Sequence, residues 1–200
     1  MKKILICLTL FLLIIIMVTS IVKSNNTQNN KIVIVTLTPE PIIEYISTPE
    51  PTEKPISIPK YDIPLSIEIQ EYIYKGCKYD NKKYELVLKI MKGESSFDQS
   101  NVSYNKESKT TDYGLMQVNS SNRQWMKRDL GITLEEIKTD IYKNIDCGIY
   151  ILNVGYDSND INFTLMMYNM HPDEAKSYRR QGKVNPYVGY ILNQKINIIE

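Results

Sequence analysis

The chain has 200 residues, of which 61–200 make about one ordinary domain, so a large multidomain enzyme or a long repeat array is excluded. Its 24 basic and 23 acidic side chains leave a net charge of +1, and residues 61–200 alone carry 18 basic and 19 acidic groups. No broad electropositive field is available to hold nucleic acid, and none is expected as a partner. Tyrosine is the compositional outlier, with 15 copies against 3 Phe and 1 Trp.

Residues 4–22 (ILICLTLFLLIIIMVTSIV) carry no charge, follow Lys2 and Lys3, and are close to the length that crosses a bilayer as a helix. The flanking lysines predict a cytoplasmic N-terminus and an exported remainder. Segment 1–22 reads as an uncleaved membrane anchor; a signal peptide is the alternative, with 18–20 (VTS) a poor cleavage site. Residues 23–60 are rich in Asn and then Pro. Thr38-Pro39-Glu40-Pro41 recurs as Thr48-Pro49-Glu50-Pro51, which predicts an extended spacer or, more narrowly, a proline-motif ligand. Of three cysteines, Cys7 lies in the apolar segment. Cys77 and Cys147 lie in the exported part on apolar helical faces, where they form either a disulfide or two small buried hydrophobes.

The exported domain predicts helices joined by polar loops. Ser66 caps a helix reaching about Lys78, with Ile69, Tyr72, Ile73 and Cys77 as its stripe. A turn at Asp80-Asn81-Lys82 precedes a helix over 83–95. Residues 97–119 lose periodicity and read as loop with a short hairpin. Thr133 and Glu136 fit a capping box. Helices follow over 141–156 and 161–170, and a last one starts at Pro186 or Tyr187. No long stretch alternates apolar and polar residues, so no large sheet is expected.

Three constellations carry candidate chemistry. Val87, Ile90, Met91 and Glu94 fall at i, i+3, i+4 and i+7, so Glu94 shares the core-facing side of its helix. A carboxyl desolvated there stays protonated to higher pH, as an acid catalyst of glycoside cleavage needs. The same glutamate could instead bond backbone N–H groups at the helix end. Gly93 leaves room beside it for a bulky ligand. Next, Asp112 to Asn119 (DYGLMQVN) offers amides at Gln117 and Asn119 for sugar hydroxyls and N-acetyl groups, although an ordinary buried turn explains it as well. Third, the Tyr168 hydroxyl in Met166-Met167-Tyr168-Asn169 can reach a carboxyl while its ring packs, unless the stretch is simply core. One histidine and no Cys/His cluster give no zinc site, and no glycine-rich phosphate loop is present, so no metal or cofactor is expected.

In order along the chain stand Glu94-Ser95-Ser96-Phe97, Tyr113-Gly114-Leu115-Met116-Gln117, Asn144-Ile145 with Gly148 and Tyr150-Ile151-Leu152, Tyr168-Asn169, and Tyr187-Val188. This ordered set resembles the SLT-like lytic transglycosylases, peptidoglycan-cleaving enzymes with a goose-type lysozyme-like fold, over about residues 66–191. The resemblance implies a lysozyme-like fold, so the expected chain is a mostly α, lysozyme-like domain behind the transmembrane helix and Pro-rich linker read above from the residues. It implies Glu94 as sole acid/base and a glycan-binding set of Ser95, Tyr113, Gly114, Leu115, Met116, Gln117, Asn119, Tyr168, Asn169 and Tyr187, with Tyr168 close to the catalytic carboxyl. It also implies cleavage between N-acetylmuramic acid and N-acetylglucosamine with a 1,6-anhydromuramyl product. Peptidoglycan strands are the expected partner, with an envelope secretion or conjugation apparatus as a further one. The family usually places a glycine shortly after Tyr-Asn; here Met170 is followed by His171 and Pro172. Two other functions compete. A hydrolysing lysozyme needs a second carboxylate, for which Asp98 and Asp112 are the candidates. A non-catalytic peptidoglycan-binding scaffold needs none.

Overall fold

A computed structural model of the chain describes residues 57–199. Segment 1–22 and the proline-rich stretch as far as residue 56 lie outside the described residues. Among the described residues no helix is long and apolar enough to cross a membrane.

Among the described residues eight helices and one small sheet follow in chain order: α1 (Ile67–Gly76), α2 (Asn81–Ser95), β1 (Val102–Asn105), β2 (Thr110–Tyr113), β3 (Val118–Asn119), α3 (Arg123–Trp125, running into a wide turn at Met126–Leu130), α4 (Leu134–Thr139), α5 (Ile141–Gly155), α6 (Ile161–Asn169), α7 (Pro172–Arg180) and α8 (Pro186–Leu192). The domain is mostly helical, as expected.

Short polar side chains start most of the helices, each satisfying amides that have no partner within the helix. Ser66 accepts from Ile69 N, Asp80 from Lys82 and Lys83 N, Asp140 from Tyr142 and Lys143 N, Asp160 from Phe163 N and Asn185 from Val188 N. The Thr133–Glu136 capping box is present in both directions. Asp80 thus opens α2 at Asn81, two residues before the predicted start.

α2 is the central helix. Val87, Leu88, Ile90 and Met91 are wholly buried, and it packs against both α1 and α8. α5 contributes Ile145 and Leu152, and α6 contributes Leu165 and Met166. α7 has no predicted counterpart. Only its Ala175 is buried, so it lacks the apolar stripe by which helices are recognised. Arg179 docks it by reaching Asp160 at 2.9 Å and lying over the Phe163 ring at 4.4 Å. Its cap is His171, whose Nδ1 accepts from Asp173 N at 3.3 Å while the side chain stays exposed. The unusual histidine therefore starts a helix.

The Cys77–Cys147 disulfide does not form; both are free, buried thiols. They occupy different surroundings, Cys77 beside the charges of Lys83 and Asp80, Cys147 beside those of Asp146, Lys143 and Glu136. Burial pushes each thiol up to about 12, so both behave as small neutral hydrophobes.

The chain joins the domain at residues 58–65 and leaves it alongside. Tyr61 bridges Ile198, Asp62 N donates to Asn197 O at 2.8 Å, and Ile199 N to Lys60 O at 2.7 Å. Buried Gln70 fastens this edge, accepting from Tyr61 N at 2.9 Å and donating to Tyr61 O and Leu65 O at 3.1 Å each.

Candidate active site

Glu94 occupies the last turn of α2, on the face it shares with Val87, Ile90 and Met91. The helix ends abruptly because Ser96 and Phe97 both take left-handed conformations (φ 54° and 68°), with Ser96 N and Phe97 N returning to Lys92 O and Met91 O. Two consecutive non-glycine residues in that region are held by the packing around them. The room beside Gly93 belongs to the protein. A Cβ there would collide with Ile191, and the Tyr190 hydroxyl donates to Gly93 O at 2.9 Å, so this glycine admits α8 rather than a ligand.

Ser95 is buried, and its hydroxyl lies 3.1 Å from Met91 O and 2.9 Å from Leu115 O. It ties α2 to the Gly114–Gln117 turn instead of facing a substrate. Leu115 and Met116 are likewise wholly buried, so their side chains support the turn from the core and do not line a cleft. Gly114 has φ 74°, and a Cβ on it would strike the Asn144 amide. That amide organises the turn. Asn144 accepts from Met116 N at 3.0 Å and donates to Tyr113 O at 2.7 Å and Ile137 O at 3.2 Å. Gly148, one helical turn further, leaves the space that Met116 fills. Gln117 (φ 44°) folds back, donating to Gly114 O at 2.9 Å and Asn101 O at 3.2 Å.

The tyrosine bonded to the carboxyl is Tyr187, whose hydroxyl donates to Glu94 Oε1 at 2.5 Å. The Tyr168 hydroxyl donates to Met116 O at 2.7 Å, which corrects its expected reach to a carboxyl. Asn169 acts one step removed: its Oδ1 accepts from Asn185 Nδ2 at 3.0 Å, and Asn185 caps the helix that carries Tyr187. Burial raises the Glu94 carboxyl above its ordinary range; the Tyr187 bond opposes this and the Asp112 charge adds to it. Burial first, and Glu94 second, push the Tyr168 and Tyr187 hydroxyls well above the usual phenol range, so both remain protonated donors.

Asp112 faces the same space from β2. Its Oδ1 accepts from Asn119 Nδ2 at 2.7 Å, and burial raises its carboxyl. Asp98 is different: exposed, and turned to the N–H and hydroxyl of Ser100 at 2.8 and 2.7 Å, which lower it.

The three antiparallel strands pair Ser103 with Asp112, Asp112 with Asn119, and Asn105 with Thr110. Paired residues share a face, so one side of the sheet is a run of short polar side chains leading away from Glu94. The other side carries Val102, Tyr104, Tyr113 and the buried Val118.

The fold thus brings Tyr187, Tyr168 and Asp112 to Glu94, with Asn119 bonded to Asp112; it turns the Gln117 amide onto backbone carbonyls and leaves Ser95, Leu115 and Met116 behind. Asn144 stood in the sequence among the ordered residues, but nothing local marks it as the clamp of a turn 28 residues away. Asn101, which donates to Glu94 O at 3.3 Å, and Asn185 carry no sequence signal beyond helix capping for the latter.

The family model of the transglycosylase SLT domain matches residues 71–187. That is more than half of the chain, and the protein belongs to this family, whose lysozyme-like domains act on peptidoglycan. Among solved structures, the chain is similar to a lysozyme from Litopenaeus vannamei, with 21% identity over 57% of this chain and 92% of that one and a TM-score of 0.37. No curated protein matches.

Proposed function

We propose that the protein is a lytic transglycosylase that cuts the bond between N-acetylmuramic acid and N-acetylglucosamine with Glu94 as its single acid/base. The observation that supports this reading is the half-buried Glu94 carboxyl, raised by desolvation and held by Tyr187, at the rim of a polar sheet face. Protonated Glu94 donates to the glycosidic oxygen as the C1–O bond breaks. The resulting carboxylate takes the proton of the muramyl 6-hydroxyl as its oxygen bonds to C1, closing the 1,6-anhydro ring and restoring the acid. The substrate's N-acetyl group stabilises the positive charge between the two steps. Tyr187 keeps Oε1 in place, so proton transfer falls to Oε2. Gln117 and Asn119 are half-buried members of the predicted set from which the glycan is bound, whereas Tyr113 lies on the opposite face of the sheet.

Asp112 favours a second reading. It is a half-buried carboxylate whose charge acts on Glu94, and a hydrolase could use it to activate water. Mass spectrometry of digested peptidoglycan separates the outcomes: anhydromuropeptides support the transglycosylase, reducing ends the lysozyme, and absence of products a binding domain.

In this reading residues 1–22 anchor the chain, 23–60 space it, and 61–200 act on the wall side of the cell membrane, the domain being secreted if the segment is cleaved. Full-length protein should fractionate with membranes and expose residues beyond 60 to external labelling. A soluble form beginning near Ile21 would replace the anchor by a signal peptide.

A further inference from the structure

A cavity of about 340 Å³ lies between the tip of the β1–β2 hairpin and the turn after β3, lined by Lys109, Thr110, Ser120, Ser121, Arg123 and Gln124. The lining holds two cations, three hydroxyls and an amide, and no carboxylate. Among the described residues neither Lys109 nor Arg123 enters an ion pair. Ser120 Oγ accepts from Thr111 N at 2.9 Å, which leaves its own proton to donate outward. Such a donor set with no competing acid suits an oxyanion.

The cavity continues the polar face that begins at Glu94. Thr110 and Asp112 are two apart on β2 and point to the same side, about 7 Å from each other along the strand. The Asn119 amide bridges them, donating to Thr110 Oγ1 at 2.9 Å and Asp112 Oδ1 at 2.7 Å. A polymer lying over Asp112 and Asn119 therefore brings its substituents to Lys109 and Arg123.

We propose that this cavity is an oxyanion subsite that takes an acidic substituent of the wall glycan. The proposal rests on the peptidoglycan reading above. Two groups on such a polymer have this chemistry, the carboxylates of its peptide stems and the phosphodiesters of polymers attached to it. An uncharged or amidated strand fills the polar face but leaves the two cations without a counterpart. The subsite thus selects among strands while the chemistry at Glu94 is the same for all.

The test uses full-length protein in detergent carrying Glu94→Gln, so that strands are bound and not cut. Affinity is measured for three soluble strands: one with free stem carboxylates and no phosphate polymer, the same strand with its carboxylates amidated, and the amidated strand with its phosphodiester polymer retained. The expected result is about fivefold tighter binding of the first or the third than of the second, as for one or two exposed charge contacts. Preference for the first assigns the carboxylate, and preference for the third the phosphodiester. Adding K109A and R123A should abolish the preference, leave the affinity for the amidated strand unchanged and leave the melting temperature unchanged; K109R with R123K should restore it. Equal binding of all three strands, or a preference that survives K109A/R123A, overturns the subsite alone. Binding of no strand overturns the subsite together with the peptidoglycan reading.

Discussion

On the Glu94 side of the site, polar groups are spent on holding backbone. Ser95, Asn144 and the Tyr168 hydroxyl all bond main-chain atoms of the Tyr113–Gln117 turn, and the side chains beneath, Leu115 and Met116, are wholly buried. On the sheet side the polar groups bond one another. Asn119 bridges Thr110 and Asp112, Thr110 pairs with Ser108, and every residue of β1 is exposed. Glu94 is thus positioned by the core, whose rearrangement costs folding energy, whereas the surface opposite it can change with little effect on stability. Substitutions on the two sides should separate accordingly.

Glu94→Gln keeps the shape and the acceptor for Tyr187 but delivers no proton, so wall-cleaving activity should fall about 100-fold or more. Stability should move the other way. The folded Glu94 carboxyl titrates above its unfolded value, so its ionisation disfavours the fold at pH above the folded pKa. The variant should melt higher than wild type at neutral pH, with the gain shrinking as pH falls through that pKa; thermal melts across pH check this, and full activity in the variant would remove Glu94 from the mechanism.

Asn144→Ala leaves Met116 N and the Tyr113 and Ile137 carbonyls without their partner and should cost about 2–4 kcal/mol in urea unfolding. A loss below about 1 kcal/mol would break the contrast between the two sides.

The two tyrosines should also divide. Tyr187→Phe removes the bond that lowers the Glu94 pKa, so the limb where activity falls with rising pH should shift upward. Tyr168→Phe should cost about 1 kcal/mol of stability and less activity, because it loses one hydroxyl and keeps the ring.

On the sheet side, Asp112→Asn removes a like charge from Glu94, so the same limb should shift downward while substantial activity remains. An inactive, folded Asp112→Asn would favour the two-carboxylate lysozyme. Asp98→Asn, exposed and bonded only to Ser100, should leave both the melting temperature and the activity unchanged.

Helices with an apolar stripe and a capping residue were legible to within a few residues, since both signals are local: α1, α2, α5, α6 and α8 all begin at Ser, Asp or Asn. The burial of Glu94 was legible because its spacing from Val87, Ile90 and Met91 puts it on the core-facing side. α7 was not, because its docking depends on Arg179 meeting Asp160 rather than on apolar periodicity. The exchange between Tyr168 and Tyr187 was hidden for a related reason. Which hydroxyl reaches Glu94 depends on where α6 and α8 sit against α2, and spacing along the chain does not encode that. Gly93 shows the same limit: the need for a missing side chain is readable, but what occupies the space, here Ile191, is decided by a partner about a hundred residues away.

The paired edge at Tyr61 and Ile198 has a mechanical meaning. Load applied to the chain at residue 57 meets the Gln70 clamp and the backbone bonds of Asp62 and Ile199 before it reaches α1. Tension is carried into the first helix and the C-terminal strand partner together, on the side of α1 away from its junction with Asp80, so a pull at residue 57 can strip residues 58–62 from Asn197–Ile199 while the helix that carries Glu94 stays in register.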